Sequence, residues 1–405
     1  MTHPVRHLVA VVAGALILGP VATAQVDDWP QWRGPNRDGV APCTAWSAEG
    51  AETPLWRTNV GLGYSNVCLR GGRLITHGFD VASKRDVIVC PDALTGAEQW
   101  RHAYPSKIND TMHGGGTLTT PVAAGDRVFV LSRLGALRCL DLASGTVIWT
   151  RDLAADKGVD VGSFGLPATP LLLGEDLVIN VGRTMRLDQA TGTTRWETKD
   201  YGYSYSVPVH GLINDRPTLV VFNAAGLVTL NPATGDELSL FEWTSRFNVN
   251  AATPLIVDGR VFISTGYNDK GCAMLDYSSG APTVAWKSMV ISSKMTGCVL
   301  FENHLYGFDD EILRCIDLEG TRRWQQRGLG NGAVLASADG RLVVLSEEGE
   351  LVIARAQPDG WEELSRTTLF EGGKCWTTPV LSGGLIFCRN SLGELVCVDH
   401  RVSDG

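Results

Sequence analysis

Eleven residues of the 405-residue chain share one phase of a repeating sequence frame and carry side chains suited to binding chemistry. They are Tyr64, Asn66, His113, Phe164, Tyr203, Tyr205, Asn250, Lys294, Asn331, Lys374 and Trp376. Ser65, Met112, Ser163 and Asn248 stand beside them. Aromatic faces stack on planar groups, amides orient polar ones, and lysine ammoniums attract carboxylates. Gathered at one opening, this set suits a planar or anionic ligand. The plainer reading is a ring of loop residues that caps the opening and holds water. His113 precedes Gly114-Gly115-Gly116, a loop able to fold over the opening, but the sequence places no carboxylate beside it.

Other chemistry is poorly supported. The remaining histidines show no H-x-H or H-E-x-x-H spacing, and no G-x-S-x-G elbow, P-loop or kinase motif occurs. Asp309-Asp310-Glu311 falls in a turn, where a calcium role competes with a solvated turn. The net charge is −9 with no long Lys/Arg run, so no nucleic-acid partner is expected.

The elements that position the eleven residues follow from a repeat. Asp92, Asp141, Asp188, Asn231, Asp276, Asp317, Arg355 and Asp399 recur at a mean spacing of about 44 residues. A turn Gly follows each of the first seven (Gly96, Gly145, Gly192, Gly235, Gly280, Gly320 and Gly360), then in six units a Trp: Trp100, Trp149, Trp196, Trp243, Trp286 or Trp324. Between turns run short alternating strands, four per unit. A four-stranded sheet cannot bury both faces alone, but neighbours around a ring can, so the frame predicts an all-β, eight-bladed β-propeller of antiparallel blades. The last unit ends after its third strand, while Trp56 stands 44 residues before Trp100. Residues near 54–60 are therefore expected to complete the eighth blade and clasp the termini. The seventh unit is the weakest, with Arg355 in the Asp position and Trp361 directly after Gly360.

Cys90, Cys139, Cys315 and Cys397 each stand two residues before the repeat Asp and read as small buried apolar residues. Cys43, Cys68, Cys272, Cys298, Cys375 and Cys388 leave one or two disulfides open. Residues 1–24 read as a signal peptide: Arg6, an apolar run from Leu8 to Leu18, and Ala22-Thr23-Ala24 before a cut. Gln25 follows, not the Cys of a lipoprotein. The expected organisation is signal peptide 1–24, leader or strap 25–53, and propeller 54–402. The product is expected to be exported, periplasmic or secreted, and monomeric, without a transmembrane segment in the mature chain.

The string Asp-x-x-Ser/Thr-Gly-x-x-x-Trp, with TPVAAGDRVFV before it at Thr120 to Val130, resembles the pyrroloquinoline quinone (PQQ)-like propeller repeat. That family includes quinoprotein alcohol dehydrogenases and the outer-membrane assembly lipoprotein BamB. DWPQWRGPNRDGV, Asp28 to Val40, is similar to leaders of exported PQQ-like proteins of planctomycete-type bacteria. The quinoprotein branch implies adjacent cysteines over its cofactor, and its haem branch a C-x-x-C-H motif; this chain has neither. No residue role is carried over. The expectation is a non-catalytic exported propeller that binds a protein, peptide or glycan at the channel mouth, with no cofactor. The alternative is a divergent PQQ- and Ca²⁺-dependent dehydrogenase of alcohols or sugars, with Lys294, Lys374 and Asn250 near the quinone carboxylates and Trp376 stacking. Hydrolysis by an unrecognised acidic pair is a third reading.

Overall fold

The computed structural model describes residues 26–402 apart from 52, 109–113, 160, 163–164 and 268–269. Within them the alternating strands form eight antiparallel sheets arranged as an eight-bladed β-propeller. Blade 1 comprises Cys68–Arg70, Arg73–Asp80, Arg85–Pro91 and Glu98–Pro105, from the channel outward. Blades 2 to 6 repeat the plan over 122–152, 171–197, 209–242, 255–288 and 299–326. The seventh unit forms a full blade of Ala333–Ser337, Arg341–Leu345, Glu350–Arg355 and Glu363–Thr368. Blade 8 closes as the repeat phase predicts: Trp56–Asn59 pairs antiparallel with Glu394–Asp399, placing Trp56 opposite Cys397. Helix among the described residues is one short turn, Leu153–Lys157, started by the Asp152 side chain and ended by left-handed Gly158.

The repeat Asp caps its own turn. Asp92 accepts from the Thr95 amide and hydroxyl, Asp141 from those of Ser144, and Asp188 from those of Thr191. The turn Gly has a second reason to be Gly. A Cβ on Gly96, Gly145, Gly192, Gly235 or Gly320 would approach the ring of Trp56, Trp100, Trp149, Trp196 or Trp286 to 2.4–3.0 Å. Each Trp comes from the outer strand of the preceding blade and lies across its neighbour's turn. Its Nε1–H donates to a carbonyl just past the repeat position: Trp56 to Ala93, Trp100 to Leu142, Trp149 to Gln189, Trp196 to Pro232, Trp286 to Leu318 and Trp324 to Gln357, at 2.7–3.2 Å. The tryptophans are pegs between blades.

Trp243 departs from the expected role. It lies just beyond the outer strand Glu237–Glu242, and the peg position, opposite Thr229, holds Ser239. Tyr277, from the next blade's turn, is buried against Ser239 and fills the space. Blade 7 also lacks a peg, with Ser365 opposite Ile353. There the leader substitutes: Ser365 Oγ donates to the Ala48 carbonyl, and Trp46 packs edge-on against His400 of blade 8.

The leader does more than lie on a face. Trp29 exchanges backbone hydrogen bonds with Leu69 of blade 1, and the Pro30 carbonyl accepts from Ala123 of blade 2. Gln31 Oε1 accepts from Leu172 of blade 3, and Trp32 Nε1 donates to Thr253 at the entry to blade 5. Buried Arg33 donates to the Cys298 carbonyl at the entry to blade 6, while Val40–Ala41 adds a parallel strand to the inner edge of blade 7. The segment therefore crosses the far end of the channel. All ten cysteines are buried free thiols.

Candidate functional site at the channel mouth

Loops that enter each innermost strand, and loops joining second to third strands, share one face of the ring. Together they surround a cavity of about 620 Å³, within the size range of ligand pockets. Its lining includes Trp32 from the leader, Tyr64, Thr120, Arg133, Thr169, Tyr205, Val207, Phe247, Val249, Tyr267, Lys294, Met295, Asn331 and Trp376.

Of the sequence candidates, Tyr64, Tyr205, Lys294, Asn331 and Trp376 line this cavity. Tyr64 and Trp376 stack with centroids 5.1 Å apart and planes 19° apart. Trp376 Nε1 donates to Glu347 Oε1, whose Oε2 accepts from the Asn331 amide.

The other candidates sit differently. Asn66 is buried in the fold, donating to the Thr378 carbonyl and accepting from the Val67 amide. Asn250 is also buried, with its Nδ2 donating to the carbonyls of Asn223 and Trp243. Both hold loops together. Tyr203 packs edge-on against Tyr205 and accepts from the Gly162 amide. Lys374 sits at the rim and pairs with Glu347 at 3.1 Å and Glu348 at 2.9 Å. His113 and Phe164, with Met112 and Ser163, lie outside the described residues.

The two lysines expected to attract carboxylates already have acidic partners within the chain. Lys294 pairs with Asp310 at 2.6 Å, as Lys374 does with its two glutamates, so each charge is already balanced. Asp309 is committed too, to Arg314 at 2.7 Å and the Ser292 amide. The acidic turn is thus an ion-pair turn. Sequence reasoning missed Arg133, Tyr267, Phe247, Met295 and Trp32. Arg133 and Tyr267 belong to loops between second and third strands, which share the mouth but were outside the phase considered; Trp32 belongs to the leader.

Electrostatics argue against an activated nucleophile here. Burial raises the phenols of Tyr64, Tyr205 and Tyr267 above the usual range, keeping them protonated. Burial opposes ionisation of Glu347, but hydrogen bonds from the Asn331 amide and Lys374 overcome it and hold the carboxylate below its ordinary range. Glu347 therefore serves as a fixed acceptor.

Calcium with a quinone would need a cage of oxygen ligands rich in carboxylates. The described lining of the cavity contains no Asp or Glu, and no group of three or more His, Cys, Asp or Glu among the described residues could hold a metal. The described donors lining the cavity do not fit that cofactor pair.

A family model described as outer membrane protein assembly factor BamB matches residues 83–326. The curated BamB of Burkholderia pseudomallei is 24% identical over 307 residues, 61% of this chain and 78% of that protein. That of Moranella endobia is 21% identical over 365 residues, 82% and 88% of the two chains. Among solved structures, BamB from Moraxella catarrhalis superposes with a TM-score of 0.63 at 15% identity, covering 86% of this chain and 99% of that one. Quinohemoprotein alcohol dehydrogenase from Comamonas testosteroni reaches 0.64 at 11% identity, covering 92% and 80%. At these identities the structural likeness carries the fold and does not choose between binding and oxidation. The family match spans more than half of the sequence, and on that ground the chain belongs to the PQQ-like β-propeller family described as outer membrane protein assembly factor BamB.

Proposed function

We propose that the chain is a non-catalytic, exported and monomeric propeller that binds a partner protein through its channel-mouth face. The observation that carries this reading is the aromatic cavity at the mouth, its lysines neutralised and its tyrosines held protonated. The relatives' description as assembly factors supports a partner that is itself a protein. A glycan fits less well, because sugar hydroxyls want carboxylates and amides, and Asn331 is the sole described amide side chain in the lining besides hydroxyls and phenols. Export follows from residues 1–24, which lie outside the described residues.

Photo-crosslinking inside bacterial cells tests the proposal. A benzoylphenylalanine at Leu134 or Leu392, in loops of the mouth face, should give discrete protein adducts. The same probe at Leu212, at the opposite end of blade 4, should not. Adducts from Leu212 alone, or alcohol-dependent dye reduction by the purified chain supplied with PQQ and Ca²⁺, would overturn it.

A further inference from the structure

The leader forms part of the wall of the mouth cavity. Trp32 lines it from within, its indole N–H bonded to Thr253 at 3.2 Å, and the adjoining Arg33 is fixed to the carbonyls of Arg37, Asp38 and Cys298. The space of about 620 Å³ readily admits a large aromatic side chain together with part of its flanking segment and is walled mainly by aromatic and aliphatic groups.

The rim extends this chemistry outward. Phe247 is 65% exposed at the mouth, and on the same face Leu392 is 51%, Met289 49% and Leu134 42% exposed. A small molecule inside the cavity would leave those side chains in water; a polypeptide lying across the mouth covers them. The rim also has a charge. On this face the loops of blades 6 to 8 carry Asp310, Glu311, Glu347, Glu348 and Glu371 against Lys294, Arg327 and Lys374. Glu348 and Asp310 keep 74% and 54% of their side chains exposed despite their ion pairs. This arc complements basic residues in the occupant.

We propose that the cavity is an anchor pocket for a partner polypeptide, taking one aromatic side chain from a segment whose flanking residues are Lys or Arg. The proposal rests on the partner-binding reading above and specifies its recognition chemistry. The indole–phenol stack of Tyr64 and Trp376 offers the anchor an aromatic wall. The acidic arc of blades 6 to 8 receives the basic flank.

Isothermal titration with acetylated, amidated nonapeptides tests it. The probes are a central Phe flanked by lysines, the same peptide with central Ala, and the Phe peptide with glutamate flanks. Central Ala should weaken binding at least tenfold, and glutamate flanks should weaken it at least tenfold at low salt. Ala251→Trp, which fills the cavity, should abolish binding of the Phe peptide with the unfolding midpoint unchanged. Should that variant not fold, Glu348→Lys with Asp310→Lys reads the rim instead and should reverse the preference between lysine and glutamate flanks. Equal binding of the Phe and Ala peptides, undiminished binding by folded Ala251→Trp, or p-cresol binding as tightly as the peptide would overturn the proposal. So would no binding by any peptide; mouth-face crosslinks in that case would leave partner binding standing without this anchor.

Discussion

Two kinds of buried residue are easily mistaken for one another at the level of single side chains. Arg389, wholly buried in blade 8, donates to the carbonyls of Ser65, His77 and Gly61 and to Thr76 Oγ1, all in or leading into blade 1. Burial lowers its pKa to about 9, leaving it charged at neutral pH. Arg389→Met would remove four charge-assisted hydrogen bonds to buried acceptors and leave the Gly61 carbonyl without its donor, each such bond being worth about 1.5–3 kcal/mol. Urea unfolding should show a loss of at least ~3 kcal/mol. His77 is the opposite case. It lies 3.9 Å from Asp86 and 2.7 Å from the Tyr104 hydroxyl, yet burial first, then Arg389 and Arg138, push its pKa down to about 3. It is a neutral hydrogen-bonding imidazole, not half of an ion pair. Because the folded pKa is depressed, unfolded chains take up a proton near pH 6.5 that native His77 refuses. Its stabilising contribution is present above pH 6.5 and is lost as pH falls towards 3, by about 1.4 kcal/mol per unit. Wild type should therefore lose its advantage over His77→Gln as pH drops from 7 to 4, read from urea midpoints at each pH. A gap that stays constant over that range would refute the neutral assignment.

At the scale of strands and turns, the seams between blades explain what the sequence could and could not disclose. Six seams use a Trp peg, five of them over a turn Gly, so the spacing of Asp, Gly and Trp exposes the blades directly. The seam between blades 4 and 5 replaces Trp with Ser239 and compensates from the other side with Tyr277. That exchange keeps volume while erasing the pattern, which is why Trp243 passes for a peg in sequence. Ser239→Trp should clash with Tyr277, and Tyr277→Ala should leave a cavity, each destabilising by about 1–3 kcal/mol. The double variant recreates the arrangement of Trp56 over Ala93 and should recover most of the loss in thermal unfolding. Additive losses would show that the two residues do not share one space. The mouth was less legible for a related reason. Repeat phase identifies which loops converge, and Tyr64, Tyr205, Lys294, Asn331 and Trp376 do converge. Phase cannot say whether an amide is spent on a neighbouring carbonyl, as in Asn66 and Asn250, or whether a lysine already has an acid beside it. Those depend on contacts between separate blades.

For the whole molecule, the ring is closed twice, and the two closures have different consequences. Trp56–Asn59 completes blade 8 by antiparallel pairing and covers what would otherwise be an open edge at Glu394–Asp399. The leader closes the ring a second time from within, tying the inner strands of blades 1, 2, 3 and 7 and the entries to blades 5 and 6 to one segment. It also stands in for the missing peg between blades 7 and 8 through Trp46 and Ala48. Breaking the first closure should expose a strand edge, whereas weakening the second should loosen the channel floor. Thr58→Pro, placed opposite Leu395, removes a hydrogen bond of the closing ladder, worth about 1 kcal/mol, and uncovers an edge able to pair with another chain. That variant should unfold earlier and form concentration-dependent oligomers in light scattering. Trp32→Ala removes the indole from the cavity floor and its bond to Thr253, yet leaves every blade edge paired. It should remain monomeric, melt only slightly earlier, and lose hydrogen-exchange protection in the leader around residues 29–41 and its inner-strand partners. Oligomers from Trp32→Ala, or none from Thr58→Pro, would show that the leader and not the N-terminal strand guards the edge of the ring.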